Sequence, residues 1–227
     1  MKEIIREYVR KLMHFLIFYP IYYLIWFNLF GNNLLEDPFL ILVIVIFFGI
    51  NLIDILIRPM SDSNELRDKY TLVVLLFFLF GPLILVLAFY ENNLIISNYL
   101  PIYNNPFIGY IGVVGMIVGS IVMLSSRYQL NKHSYGGGSL SEEKEQTLLT
   151  DGMYKIIRHP IYAGGLIVTI GLELAFRSLI VLSIHTVIFL MIFRERMKQE
   201  ETVLLTKYGE EYRVYMESTY RLIPYLY

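Results

Sequence analysis

From residue 161 to residue 193 the chain reads IYAGGLIVTIGLELAFRSLIVLSIHTVIFLMIF. These 33 residues hold two charged side chains, Glu173 and Arg177. A single helix through the run would carry Arg194 to the side of a membrane opposite Arg158. Two arms of about 16 residues that turn at Arg177-Ser178 would keep both ends on one side, each arm just under the usual spanning length. The run is therefore expected to be a helical hairpin.

The rest of the chain supports a membrane setting. Of its 227 residues, 56% are hydrophobic and 17% charged, and the mean hydropathy is +0.54. Apolar stretches long enough to cross about 30 Å of hydrocarbon occupy residues 12–30, 38–57, 71–90 and 107–124. The first follows Lys2, Arg6, Arg10 and Lys11. It is too long for a signal peptide and lacks a small-residue cleavage site, so it reads as a retained span.

Basic residues set the orientation. Along successive segments the Lys and Arg counts are four before residue 12, none at 31–37, three at 58–70, none at 91–106, five at 125–160, one at Arg177 and six from Arg194 onward. Cytoplasmic loops are enriched in Lys and Arg. The alternation predicts both termini in the cytoplasm and four spans plus the hairpin, about six crossings in all. The expected fold is an all-α polytopic membrane bundle. Residues 1–124 would supply the four N-terminal spans, and residues 125–227 would form a catalytic region around hairpin 161–193.

Cysteine is absent, which excludes disulfides, thiolate metal sites and thiol catalysis. Nothing in the net charge of −1 points to nucleic acid. The outer loops read as plain connections. Gly136-Gly137-Gly138 lacks the strand-then-helix setting of a nucleotide fingerprint and reads as a linker or lid. Asp54 with Arg58, and Glu173 with Arg177, are spaced to form local pairs that lower the cost of membrane charge. His14 and His185 read as hydrogen-bonded structural residues. After Phe193, the residues Glu201, Leu204, Leu205, Tyr208, Tyr212 and Tyr215 fall on one face of an amphipathic cytoplasmic helix.

Polar chemistry gathers at both ends of the hairpin. Pro160 suits the first position of a helix, with His159 just before it. Free N–H groups and the helix dipole there favour an anion, and Arg158 adds a fork for a carboxylate or phosphate. Gly164 and Gly165 leave room for a ligand one turn on. The same basic pair would equally serve lipid headgroups. Glu200-Glu201 could take a cation or ribose hydroxyls, or could be solvated beside Arg196 and Lys198. The tyrosine stripe suits interfacial packing.

Taken together the residues are more specific. Gly152, Tyr154, Arg158, His159, Pro160, Tyr162 and Gly164 form one block. Glu200, Glu201, Leu204, Tyr208, Gly209, Tyr212, Tyr215, Arg221 and Pro224 form a second. In order, spacing and intervening hairpin they resemble the isoprenylcysteine carboxyl methyltransferase and phospholipid N-methyltransferase group of integral-membrane enzymes, over about residues 147–224. The resemblance implies S-adenosylmethionine as cofactor, a lipid-like methyl acceptor among membrane lipids, and neither metal nor nucleic acid. It implies that His159, Tyr162, Gly164, Glu200 and Glu201 bind the cofactor. Arg158 and Arg221 would be catalytic, orienting the acceptor or the cofactor carboxylate, and Tyr212 and Tyr215 would face the acceptor. Carboxylate and amine acceptors both remain open. A related R-H-P-x-Y block occurs in membrane sterol reductases that use NADPH, and a non-catalytic protein on the same scaffold is the third reading.

Overall fold

The computed structural model describes residues 9, 13, 36–57, 81–91, 105–134 and 147–225. The side chains of residues 55, 82 and 134 are not included. The span expected at 12–30 lies outside this set but for residue 13, as do the first part of the one at 71–90, His14, Arg58 and the triple glycine. Six helices are described: α1 Pro38–Ile57, α2 Gly81–Tyr90, α3 Pro106–Ser134, α4 Pro160–Ala175, α5 Leu179–Tyr208 and α6 Glu210–Ser218. A 3-10 turn at Gly152–Lys155 precedes α4. The only extended pairing among the described residues is a parallel bridge between Ile157 and Tyr220. The all-helical expectation holds for these residues.

Three helices begin with proline, and the residues before two of those prolines supply side-chain caps. Asp37 Oδ1 accepts the Phe39 N–H at 2.8 Å ahead of α1, and Asn105 Oδ1 accepts the Phe107 N–H at 3.0 Å ahead of α3. A capping oxygen satisfies one orphan N–H, and proline has no N–H to leave unsatisfied there. Pro160 starts α4 in the same way, with His159 at the cap position. Helix α3 runs ten residues past the expected limit at 124 and is, among the described residues, the one helix long and apolar enough to cross a membrane. Residues 124 and 125, the expected domain limit, both lie inside it.

Helices α3 and α4 run antiparallel with their backbones in contact. A Cβ on Gly112 would lie 2.2 Å from the Ala175 nitrogen, and one on Gly171 would lie 2.5 Å from the Met116 nitrogen. Seven residues along each helix, a Cβ on Gly119 would meet the Val168 nitrogen at 2.6 Å, and one on Gly164 would meet the Met123 nitrogen at 2.5 Å. Only hydrogen fits at these positions. Small residues that allow close backbone approach are the usual means of helix association where lipid removes the hydrophobic drive. The other face of α3 exposes Phe107, Tyr110, Ile111, Val114, Ile117, Val118 and Ile121, a stripe at the 3.6-residue period suited to lipid.

The hairpin forms as expected. Helix α4 ends at Ala175, Arg177 has φ 56° and α5 starts at Leu179. The helix does not end at Phe193. The second arm continues unbroken to Tyr208, and Gly209 (φ 54°, ψ −120°) then breaks the chain before α6. The expected single face from Glu201 to Tyr215 is thus divided between two helices. One row at i+4 spacing stays buried along α5: His185, Phe189, Phe193, Met197 and Glu201. Phe189, Phe193 and Met197 pack with Ile157, Ala163, Leu166 and Leu222 in one core. A second core joins α1, α2, α3 and α4 through Leu40, Val43, Leu85, Met116, Leu172 and Phe176.

The charged residues within the bundle find long-range partners. Asp54 pairs with Arg127 of α3 at 2.8 Å. Glu173 pairs with His185 at 2.9 Å, not with Arg177. For Glu173 the local i,i+4 contact is displaced because the neighbouring helix brings a closer polar group to the buried side, whereas Arg58, the local partner expected for Asp54, lies outside the described residues. His185 is hydrogen-bonded, as expected. Glu91 is more than a loop residue: its carboxylate accepts the N–H groups of Ile180 and Val181, each at 2.8 Å, and the Ser178 hydroxyl. It caps α5 from a distant part of the chain.

Candidate active site

The site forms where three pieces of chain meet at one end of the hairpin: residues 157–162, the α5 turn carrying Arg196, Glu200 and Glu201, and residues 216–222. Backbone pairing holds the first to the last. The N–H of Arg158 donates to Tyr220 O at 2.8 Å, that of His159 to Arg221 O at 3.1 Å and that of Tyr220 to Ile156 O at 3.0 Å. Leu222, 1% exposed, anchors this C-terminal strap in the core.

Glu201 is the hub. Its Oε1 receives Arg158 Nε at 3.3 Å, Arg221 Nε at 3.1 Å and His159 Nε2 at 3.2 Å, and its Oε2 receives Arg221 Nη2 at 2.6 Å. The Arg221 contact is the bidentate fork that guanidinium and carboxylate form best. Arg158 also donates from Nη1 to the Met216 carbonyl at 2.8 Å and to the Thr219 carbonyl. Glu200 has its own set: Tyr162 Oη donates to Oε1 at 2.5 Å, Arg196 Nε reaches the same oxygen at 3.0 Å, and His159 Nδ1 lies 3.6 Å from Oε2. His159 therefore faces one glutamate with each ring nitrogen.

Charge and burial act against each other here. Burial alone would raise both glutamates. Hydrogen bonds from His159 and Tyr162 and the Arg196 charge hold Glu200 below the ordinary carboxylate range. For Glu201, His159, Arg221 and Arg158 do the same. Burial alone would lower His159, but its contacts with both carboxylates raise it above the ordinary 6.5. Burial pushes the Tyr215 phenol up to about 12 and raises Tyr212 further. Three guanidiniums against two carboxylates leave a fixed positive excess.

The structure brings together Arg158, His159, Tyr162, Glu200, Glu201 and Arg221 of the expected site residues. Gly164 lies elsewhere: the space its missing side chain leaves is filled by the Met123 backbone of α3, so it serves helix packing and leaves no room for a ligand. Tyr212 is 1% exposed. The Tyr215 hydroxyl donates to the Tyr154 carbonyl at 2.7 Å, tying α6 to the 3-10 turn. Arg196 was not among the expected residues, although its i,i+4 spacing to Glu200 was a usable signal. Lys198 turns outward to Glu195 instead. The Met216 and Thr219 carbonyls that hold Arg158 carry no residue-type signal at all.

Known proteins share parts of this sequence and its fold. The phospholipid methyltransferase family matches residues 107–211, which takes in α3, the first motif block and the second block as far as Gly209. A probable protein-S-isoprenylcysteine O-methyltransferase of Oryza sativa subsp. indica is 25% identical over 120 residues, 53% of this chain and 63% of that protein. Protein-S-isoprenylcysteine O-methyltransferase A of Arabidopsis thaliana is 26% identical over 115 residues, 51% of this chain and 58% of that protein. The matches thus span about three-fifths of these relatives' length. Among solved structures, the eukaryotic intramembrane Ras methyltransferase ICMT (isoprenylcysteine carboxyl methyltransferase) superposes with a TM-score of 0.56 at 19% identity, covering 96% of this chain and 86% of that one. Over this region the chain is similar in sequence to phospholipid and isoprenylcysteine methyltransferases, and it shares the helical membrane fold of the solved isoprenylcysteine carboxyl methyltransferase.

Proposed function

We propose that this protein is a multi-pass membrane enzyme that uses S-adenosylmethionine to methylate a carboxylate on a lipid-like, isoprenoid-bearing acceptor at the cytoplasmic interface. The observation that carries this reading is the Arg158–His159–Glu200–Glu201–Arg221 cluster at the basic end of the hairpin. Its donor set fits the cofactor: paired carboxylates for cationic groups, and a guanidinium for a carboxylate. When bound, the cofactor supplies a methyl group on a sulfonium, and transfer is an in-line displacement governed by alignment and exclusion of water.

The two arginines divide the work. Arg158 is held by the Met216 and Thr219 carbonyls as well as by Glu201, so it positions the strap. Arg221 is the residue that orients a carboxylate, Tyr162 with His159 supports the glutamates, and Tyr212 and Tyr215 form the inner wall on the acceptor side.

The same geometry favours a carboxylate acceptor over an amine. An ammonium must lose a proton before it can attack, which calls for a base near neutral pH. Both glutamates are held as ions by cations, and His159 faces a carboxylate with each nitrogen. Tyr212 and Tyr215 are pushed up, away from neutrality. A carboxylate acceptor is already ionised and is drawn by the positive excess.

Isothermal titration of the detergent-purified full chain with S-adenosylhomocysteine tests the cofactor. Binding is expected, and about tenfold weaker binding in E201Q, the usual scale for removing a supporting partner. Incubation with methyl-labelled S-adenosylmethionine and prenylated acceptors then tests the product. Alkali-labile label marks an ester, whereas alkali-stable label would assign an amine acceptor. Binding of NADPH in place of S-adenosylhomocysteine would overturn the reading.

A further inference from the structure

The two neighbouring glutamates differ in a way their sequence does not show. The Glu201 side chain is 10% exposed and is enclosed by Arg158, Arg221 and His159. The Glu200 side chain is 30% exposed. Tyr162 Oη and Arg196 Nε both converge on its Oε1, at 2.5 and 3.0 Å. Its Oε2 is approached only at 3.6 Å, by His159 Nδ1, among the contacts described.

From this geometry we infer that Glu200 is the carboxylate that meets the cationic part of the cofactor, through Oε2, and that Arg196 is a positioning residue. With Tyr162 it pins Oε1 and so fixes the direction in which Oε2 points. The inference rests on the functional reading above. Arg196 stands one helical turn before Glu200 on α5, with a side chain 16% exposed, so it is braced against the helix and not free to sweep. The Tyr162 ring is in turn packed on Phe193, with centroids 4.9 Å apart, and stacked on His159 at 5.8 Å. Both groups that hold Oε1 are thus themselves held. A positive charge so near a cation-binding carboxylate weakens the attraction somewhat, and what it provides in exchange is a fixed geometry. Partners that orient metal-ligating side chains change affinity by about 10- to 100-fold when removed, and an effect at the low end of that range is expected for Arg196.

The test is S-adenosylhomocysteine titration of the full chain in detergent, with R196A, R196K, Y162F, E200Q and the double variant R196A/E200Q. R196A is expected to weaken binding about tenfold, R196K to recover most of it, and Y162F to weaken it to a smaller extent. R196A and E200Q should not be additive, because the arginine acts through the glutamate. In turnover, R196A should raise KM for S-adenosylmethionine more than it lowers kcat. Wild-type affinity in R196A, or additive losses in the double variant, would overturn the positioning role while leaving the functional reading intact. Should R196A not fold, R196K and Y162F carry the test, and undiminished affinity in both overturns it. Absence of binding to the folded wild-type chain overturns the functional reading itself, and this inference with it.

Discussion

His159 lies between two carboxylates, and that placement makes it a titrating bolt for the site. Its pKa is raised above 6.5 by Glu200 and Glu201 against the opposing effect of burial. Its stabilising contribution is fully present below 6.5 and is lost as pH rises through the raised value. The glutamates behave oppositely. Their pKa values are lowered below 4.5, so their contribution is present above 4.5 and is lost as pH falls through the lowered values. The thermal midpoint of the protein in detergent should therefore decline on both the acid and the alkaline side of near-neutral pH. H159Q should lower the maximum and flatten the alkaline limb. An alkaline limb unchanged in H159Q would show that His159 carries no charge in the folded site. The chemistry of this residue was legible in the sequence as a histidine between Arg158 and Pro160. Its partners were not, because Glu200 and Glu201 lie 41 and 42 positions along the chain and only the hairpin returns them to it.

At the scale of elements, the glycines of α3 and α4 are the exacting feature. Gly112 and Gly119 face Gly171 and Gly164, and a side chain on any of the four would meet backbone atoms that cannot rotate away. G171L is expected to destabilise the protein by about 1–3 kcal/mol or to part the helices, as overpacking does in tight cores. Gly49 of α1 is the control, since a Cβ there meets nothing within 4 Å. G49A should be neutral or stabilising by up to about 1 kcal/mol, because alanine is the better helix former. Thermal unfolding of the two variants in one detergent decides it, and similar midpoints would refute the close packing. The seven-residue spacing was visible along each helix. That one set of glycines faced the other, and that Gly164 belonged to this contact and not to a ligand, was not visible. Periodicity assigns a face to a helix but does not name the neighbour that covers it. The same holds for α5, where apolarity marked a hairpin arm but gave no sign that the helix continues to Tyr208. Gly209 stops it with a backbone conformation at φ 54° and ψ −120° that essentially only glycine adopts.

For the whole molecule, the hairpin and the C-terminal strap together decide where chemistry can occur. The alternating basic segments predict that Arg177 and Arg194 lie on opposite sides of the bilayer. The chain has no native cysteine, so R177C and R194C, labelled in sealed vesicles with an impermeant thiol reagent, test this directly. Labelling from opposite sides is expected, and labelling of both from one side would remove the hairpin topology and with it the cytoplasmic placement of the site. The strap makes the site depend on residues 220–222, because Arg221 and Leu222 are held there by the pairing of Tyr220 with Ile156 and Arg158.

The sequence by itself determined the helical class, the turn at Arg177-Ser178, the basic end of the hairpin and the residue types of the site. These follow from composition and short-range spacing, which act locally along the chain. Tertiary structure alone decided that Glu201 joins both arginines, that Glu200 is the more open carboxylate, that Asp54 and Glu173 find partners on other helices, and that Glu91 caps α5. The partnerships among these join groups far apart in the chain, because a buried charge takes a partner that the packed helices bring within hydrogen-bond reach.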